Sequence, residues 1–177
     1  MIRGAIISAC TKYRYQLWRI WDEHLPLCMF VMHNPSTEDA HEDDPTIRRC
    51  IGFARSWGYG GIYVGNLSPY RATDPRALLS VPYSELCPLE NIPHINQMKR
   101  QCQMHVFAYG NPVTSDLIPE MWDNCWHYLK LTKTGNPYHP LYLKSDIHPK
   151  PFVEGMGLSA ATLQRSTSLQ YDQSCQQ

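Results

Sequence analysis

The chain has 177 residues, 43% of them hydrophobic, with 16 basic and 16 acidic side chains and a formal net charge of zero. That length suits one domain with a sizeable core. The hydrophobic content excludes a disordered chain, and the neutral balance argues against a long nonspecific nucleic-acid track. A local basic patch stays open, because the charge is unevenly placed. Residues 38–44 carry Glu38, Asp39, Glu42, Asp43 and Asp44 with no Lys or Arg, whereas 45–76 carry Arg48, Arg49, Arg55, Arg71 and Arg76 against Asp74 alone.

Seven cysteines (Cys10, Cys28, Cys50, Cys87, Cys102, Cys125 and Cys175) form no C-x-x-C pair. This disfavours zinc, an iron–sulfur cluster or a disulfide framework. Several lie in apolar runs, where Cys behaves as a small core residue. The expectation is a reduced, cytoplasmic protein without a membrane span, whose apolar start is too short for a signal peptide.

In chain order, residues 13–20 (YRYQLWRI) alternate in part and predict a strand. Leu27 to Met32 is an apolar run that predicts a buried strand, and it stops at Asn34-Pro35-Ser36. After the acidic loop, Pro45 to Trp57 predicts a helix: Pro45 opens it, Ile47, Cys50, Ile51 and Ala54 recur at helical spacing, and Gly58 ends it. Gly60-Gly61 leads into a second buried strand at Ile62-Tyr63-Val64. A loop from Asn66 to Asp74 precedes a short helix near Pro75–Ser80, and residues 89–103 are partly helical, with Pro93 restricting the start. His105 to Tyr109 predicts a third strand, Ser115 to Asn124 a helix, and Trp126 to Leu131 a fourth strand. A single domain over 1–158 is expected, with a flexible tail over 159–177, which is rich in Ser, Gln and Thr.

Alternating strands and helices imply a central, mainly parallel four-stranded sheet with helices on both faces, a three-layer α/β/α sandwich. Each strand is followed by an Asn-bearing polar loop: His33-Asn34-Pro35-Ser36, Gly65-Asn66-Leu67-Ser68, Gly110-Asn111-Pro112 and Gly135-Asn136-Pro137-Tyr138-His139-Pro140. Asn, Gly and Pro make turns, but in a parallel sheet these four loops share one edge, where α/β proteins hold ligands.

At these residues the sequence becomes recognisable. The run NPSTEDAHEDDPTIRRCIGFARSWGYGGIYVGNLSPYRATDP, then YGNP, then LTKTGNPYHPLYL, resembles a family of short bacterial and phage proteins known as a domain of unknown function. YRYQLWRIW fits it too, so the resemblance covers roughly residues 10–145. More distantly, the uracil-DNA glycosylase superfamily also has a strand ending in Asn-Pro or Asp-Pro, a second strand with an Asn- or Arg-rich loop, and a late His-Pro motif. Met32-His33-Asn34-Pro35-Ser36, Gly65-Asn66-Leu67-Ser68-Pro69-Tyr70-Arg71 and Tyr138-His139-Pro140-Leu141 resemble these three in order.

That resemblance implies a uracil-DNA-glycosylase-like fold that flips a base, a modified one included, into a pocket and cleaves its N-glycosidic bond. Asn34 would hold the water and His139 would stabilise the departing base. Asn66 would read a base edge, and Tyr70 or Tyr138 would stack on the base. Arg48, Arg49 and Arg71 would hold phosphates. Pro35, Ser36 and Asn111 would complete the binding site. DNA or a nucleotide is the implied partner, and no cofactor is required.

Each assignment has a structural counterpart. Asn34 equally suits a turn cap, His139 an exposed loop, Tyr70 packing, and Arg48 or Arg49 a solvated surface. The acidic loop departs most from a glycosylase. Glu38, Asp39, His41, Glu42, Asp43 and Asp44 could hold Mg²⁺ or Mn²⁺ for a metal-dependent phosphoester enzyme. Alternatively, Asp44 could act as a general base, or Asp43 or Asp44 could cap the helix at Pro45. A non-catalytic nucleobase-, nucleotide- or nucleic-acid-binding module fits the same loops. The absence of G-x-x-x-x-G-K-[ST], G-x-G-x-x-G and G-x-S-x-G disfavours a triphosphatase, a dinucleotide oxidoreductase and an α/β-hydrolase.

Overall fold

A computed structural model describes residues 1–37, 43–112 and 125–152. The predicted helix at 115–124 and the tail after 159 lie outside them. The architecture is α/β, with a seven-stranded mixed sheet in the order β1-β2-β4-β3-β5-β6-β7. The strands are β1 (Ile2–Ile7), β2 (Arg14–Ile20), β3 (Leu27–Met32), β4 (Gly61–Asn66), β5 (Met104–Phe107), β6 (Trp126–Tyr128) and β7 (Lys150–Pro151). Four of the five predicted strands form the parallel centre, β4-β3-β5-β6, and the fifth, predicted over 13–20, is β2. β2 and β1 extend it antiparallel on one side and β7 on the other. The four-stranded expectation is thus corrected to seven. β1 escaped notice because it carries Gly4 and Ala5 in a half-exposed edge, and β7 because it is two residues long. Gly4 is required there: a Cβ would sit 2.1 Å from the Trp18 ring.

β3 is apolar throughout because both its faces are covered. Period-two alternation sends Cys28, Phe30 and Met32 to one core cluster and Met29 and Val31 to the other. The first face packs on α1 (Pro45–Ser56), which contributes Ile47, Cys50, Phe53 and Ala54. The second packs on α3 (Asn91–Gln101) through Ile95 and Met98. Each fully buried Phe or Met contributes about 1.5–3 kcal/mol of transfer free energy. Gly65 lets α3 approach, since a Cβ there would meet Met98 Cε at 2.6 Å. The buried cysteines are core thiols: burial raises the Cys28 and Cys50 pKa values and pushes Cys102 up to about 12. Cys10, Cys28, Cys50 and Cys102 are free thiols. Among the described residues no helix is long and apolar enough to cross a membrane.

Helix boundaries follow local chemistry. Asp44 caps α1 by accepting from the Ile47 N–H at 2.7 Å, Pro45 occupies the first turn, and Gly58 (φ +86°) ends it. A 3₁₀ helix covers Pro75–Ser80, and a single unpredicted turn, α2, covers Tyr83–Leu86. The helix expected over 89–103 occupies Asn91–Gln101, with Pro93 in its first turn, where no donor is lost. The last two central strands are shorter than expected. β5 stops at Phe107, and β6 at Tyr128, beyond which Leu131 bridges Pro137 across the next loop.

Asp43 is not a cap. Its carboxylate accepts from Arg19 Nε of β2 at 2.6 Å and pairs with Arg3 of β1 at 3.2 Å. The Arg19 side chain is fully buried. Removing the acid takes a short charge-assisted bond from a buried cation, so Asp43→Asn is expected to cost about 2 kcal/mol in denaturant unfolding. A loss below about 1 kcal/mol would place the pair among surface ion pairs.

Candidate functional site

The chain runs from β3 through α1 to β4 on one side, then crosses through α3 to β5 on the other side of β3. The connections diverge at the carboxyl end of β3, a switch point where a crevice opens. A cavity of about 370 Å³ lies there, lined by Arg14, Met32, His33, Asn34, Ser36, Asp44, Thr46, Ile47, Val64, Asn66, Ala72, Thr73, Pro75, Tyr109, Gly110, Asn111, His139 and Tyr142. It gathers the polar loops after β3, β4 and β5 with the late His-Pro segment.

The loops are clamped together. Beyond β3 and β4 the ladder continues as Leu67 N–H to Met32 O (2.8 Å) and Ser68 N–H to His33 O (3.0 Å). Asn34 Nδ2 donates to the carbonyls of Pro35 (3.1 Å) and Ala72 (2.8 Å), while Ala72 N–H returns a bond to Pro35 O (3.0 Å). Because both partners are carbonyls, the Asn34 amide orientation is fixed. Its oxygen is left outside any described hydrogen bond. Asn66 is buried, and its main-chain oxygen accepts from Asn91 Nδ2 of α3 at 3.1 Å. Gly110 (φ +71°) packs on His139, where a Cβ would lie 3.4 Å from the His139 Cβ. Asn111 Oδ1 accepts from Thr134 Oγ1 (3.1 Å) and Asn136 Nδ2 (3.2 Å), joining the third and fourth loops.

His139 begins a 3₁₀ turn (Pro140–Tyr142), with Nδ1 accepting from the Leu141 N–H at 3.4 Å. That bond leaves the proton of the neutral ring on Nε2. Burial lowers its pKa, and Asp44 opposes the shift. Asp44 therefore lies near His139 as well as capping α1, and its Oδ2 is outside any described hydrogen bond.

Of the residues singled out from sequence, Asn34, Ser36, Asn66, Asn111, His139 and Asp44 line the cavity. Pro35, Tyr70, Arg71, Arg48, Arg49 and Tyr138 do not. Tyr70 packs edge-on against Tyr13 at 5.9 Å. Tyr138 sits under Lys130, whose Nζ is 5.5 Å from the ring centroid. Arg48 donates to the Asp43 carbonyl, and Arg49 donates to the Leu143 carbonyl and lies over the Phe53 ring. Arg71 donates to the carbonyls of Thr11 and Thr37, both at 2.9 Å. Glu38, Asp39, His41 and Glu42 lie outside the described residues. Among the described residues no group of three or more His, Cys, Asp or Glu side chains could hold a metal ion.

Arg14 and His33 are among the lining residues missed from sequence. Simple alternation from Leu17 and Arg19 would turn Arg14 toward α3. The β1–β2 register instead shifts between Ile6↔Gln16 and Ile7↔Arg14, which skips Tyr15. Tyr15 and Gln16 both meet His94 of α3, by stacking at 4.5 Å and hydrogen bonding at 3.2 Å. The bulge thereby returns Arg14 to the α1 side, where it is 5% exposed and its Nε has no partner. Burial pushes its pKa down to about 10, so it stays cationic at neutral pH. His33 is 8% exposed, and its Nε2 is likewise unpartnered.

A family model described as "Protein of unknown function (DUF1643)" matches residues 14–141. The chain belongs to this family. The DUF1643 stretch includes every cavity-lining residue except Tyr142. No curated protein and no solved structure matches the chain.

Burial pushes the His33 pKa down to about 4. A folded pKa below the unfolded value of about 6.5 means that the unfolded chain takes up the proton first. The His33 contribution to stability is therefore complete above pH 6.5 or so and is lost as pH falls toward about 4. NMR titration is expected to find the ring neutral throughout that window, and His33→Asn is expected to flatten this part of the stability profile. A His33 ring that titrates near 6.5 would contradict the assignment.

Proposed function

We propose that this protein is a DNA-base glycosylase-like enzyme with a uracil-DNA-glycosylase-like three-layer fold. It receives a flipped nucleobase in the cavity at the carboxyl edge of its sheet and hydrolyses the N-glycosidic bond. The observation that carries this reading is that Asn34, Asn66 and His139, from three loops resembling glycosylase motifs in order, line one cavity.

The chemistry needs a held water, a path for its proton and a stabilised leaving group. The free oxygen of Asn34 accepts a hydrogen bond from the water. The Asp44 carboxylate takes the water proton as the oxygen bonds to the sugar carbon, and its charge favours the oxocarbenium-like transition state. The carbon–nitrogen bond breaks, and the electron pair leaves with the base. The His139 Nε2–H donates to a base oxygen as that charge develops. Asn66 presents an amide donor and acceptor to the base edge.

One observation favours a second reading, a nucleobase-binding module without turnover. The Asn34 amide nitrogen is committed to two main-chain carbonyls, a structural role sufficient by itself.

The deciding assay offers single- and double-stranded DNA carrying uracil, mismatches and modified pyrimidines, with and without Mg²⁺, and detects free base and strand scission by mass spectrometry. The expected result is base release without metal. Asn34→Ala is expected to abolish it, and His139→Ala to slow it by about 10²–10³-fold. Asp44→Asn, which keeps a good helix cap, is expected to slow it while the protein still unfolds in one cooperative transition. Saturable binding with no product would favour the second reading, and metal-dependent scission would overturn both.

A further inference from the structure

Three side-chain polar atoms in the cavity wall are buried and unpartnered: Arg14 Nε, His33 Nε2 and Ser36 Oγ. A buried donor left unmade costs about 1–3 kcal/mol, and native chains keep such groups where something else satisfies them. All three can donate, and Arg14 can only donate. Asp44 is the described acid in the cavity wall, and one of its oxygens is held by the Ile47 N–H. Arg71, close enough to depress the Arg14 proton affinity, is bonded to carbonyl oxygens and not to a carboxylate. The amino end of the twelve-residue α1, through Thr46 and Ile47, adds its positive pole to the same wall.

We infer that Arg14, His33 and Ser36 form a phosphate subsite, so that the ligand enters the cavity as a nucleotide and not as a bare base or nucleoside. The phosphate supplies several acceptor oxygens to the donors of three residues that share one cavity wall, and its charge is matched by the buried guanidinium. The nucleotide half of this inference rests on the proposed nucleobase site; the phosphate half stands on the donors alone. A monoester of a free nucleotide and a diester within a strand carry the same chemistry.

The test measures binding to the full chain of deoxyuridine, thymidine and deoxycytidine, their 5′-monophosphates, ribose 5-phosphate, inorganic phosphate and a short single-stranded oligonucleotide. A monophosphate is expected to bind at least about tenfold more tightly than its nucleoside, the effect of one charge-assisted hydrogen bond. That advantage is expected to vanish in Arg14→Gln and survive in part in Arg14→Lys. Ser36→Ala, which removes one orphan oxygen without touching the cation, is expected to reduce it even if Arg14→Gln fails to fold. Preference for oligonucleotide over mononucleotide, or the reverse, supports the subsite and fixes the phosphate's source. Arg14-dependent binding of inorganic phosphate and ribose 5-phosphate, with no gain from any base, would uphold the subsite and sink the nucleobase reading. Equal binding of nucleoside and nucleotide, a phosphate preference that survives Arg14→Gln, or no binding of any phosphate compound would overturn the inference.

Discussion

The Asp43 carboxylate holds the two halves of the site in one frame. It pairs with Arg19 in β2 and Arg3 in β1 while sitting one residue before the cap of α1. The antiparallel wing and the helix also meet through apolar contacts, which fix distance better than register. A short ion pair to a fully buried guanidinium fixes both, because any slip lengthens a charge-assisted bond inside the protein. Two cavity residues depend on that lock: Arg14 at the start of β2 and Asp44 at the start of α1.

The central sheet supplies the second constraint. β3 lies between β4 and β5, with α1 and α3 covering opposite faces. The loops after β3 and β4 are bound to each other by main-chain bonds and by the Asn34 clamp. The loop after β5 meets the His139 segment through Gly110. The polar groups therefore stand on loops tied to one another by hydrogen bonds and packing. Burial then sorts their charges. His33 and His139 are driven toward the neutral form, while Arg14 keeps its proton at neutral pH because its starting pKa is so high.

This arrangement buries one cation, Arg14, in the cavity wall of a neutral chain. A glycosylase-like enzyme and a binding module would share the cavity and differ in whether Asp44 and Asn34 act on water. A phosphate subsite would serve either, since it orients a nucleotide before any bond is broken.

The sequence by itself determined what local chemistry governs. The apolar run of β3, the Asp44-Pro45 start and Gly58 end of α1, and the Asn-bearing loops at one sheet edge were all legible, because periodicity, capping and turn geometry act over a few residues. Six candidate residues consequently fell on the cavity wall. Tyr70, Tyr138 and the arginines 48, 49 and 71 did not, since a residue type says what it can bind but not which way its backbone turns it. Only the tertiary structure decided that Arg14 faces the cavity. Its orientation comes from a bulge at Tyr15 that exists through pairing with β1, a strand too short of apolar signal to be read. The fate of Asp43 was likewise decided by Arg19 and Arg3, far away in the chain, whereas neighbouring Asp44 was decided by the helix beside it.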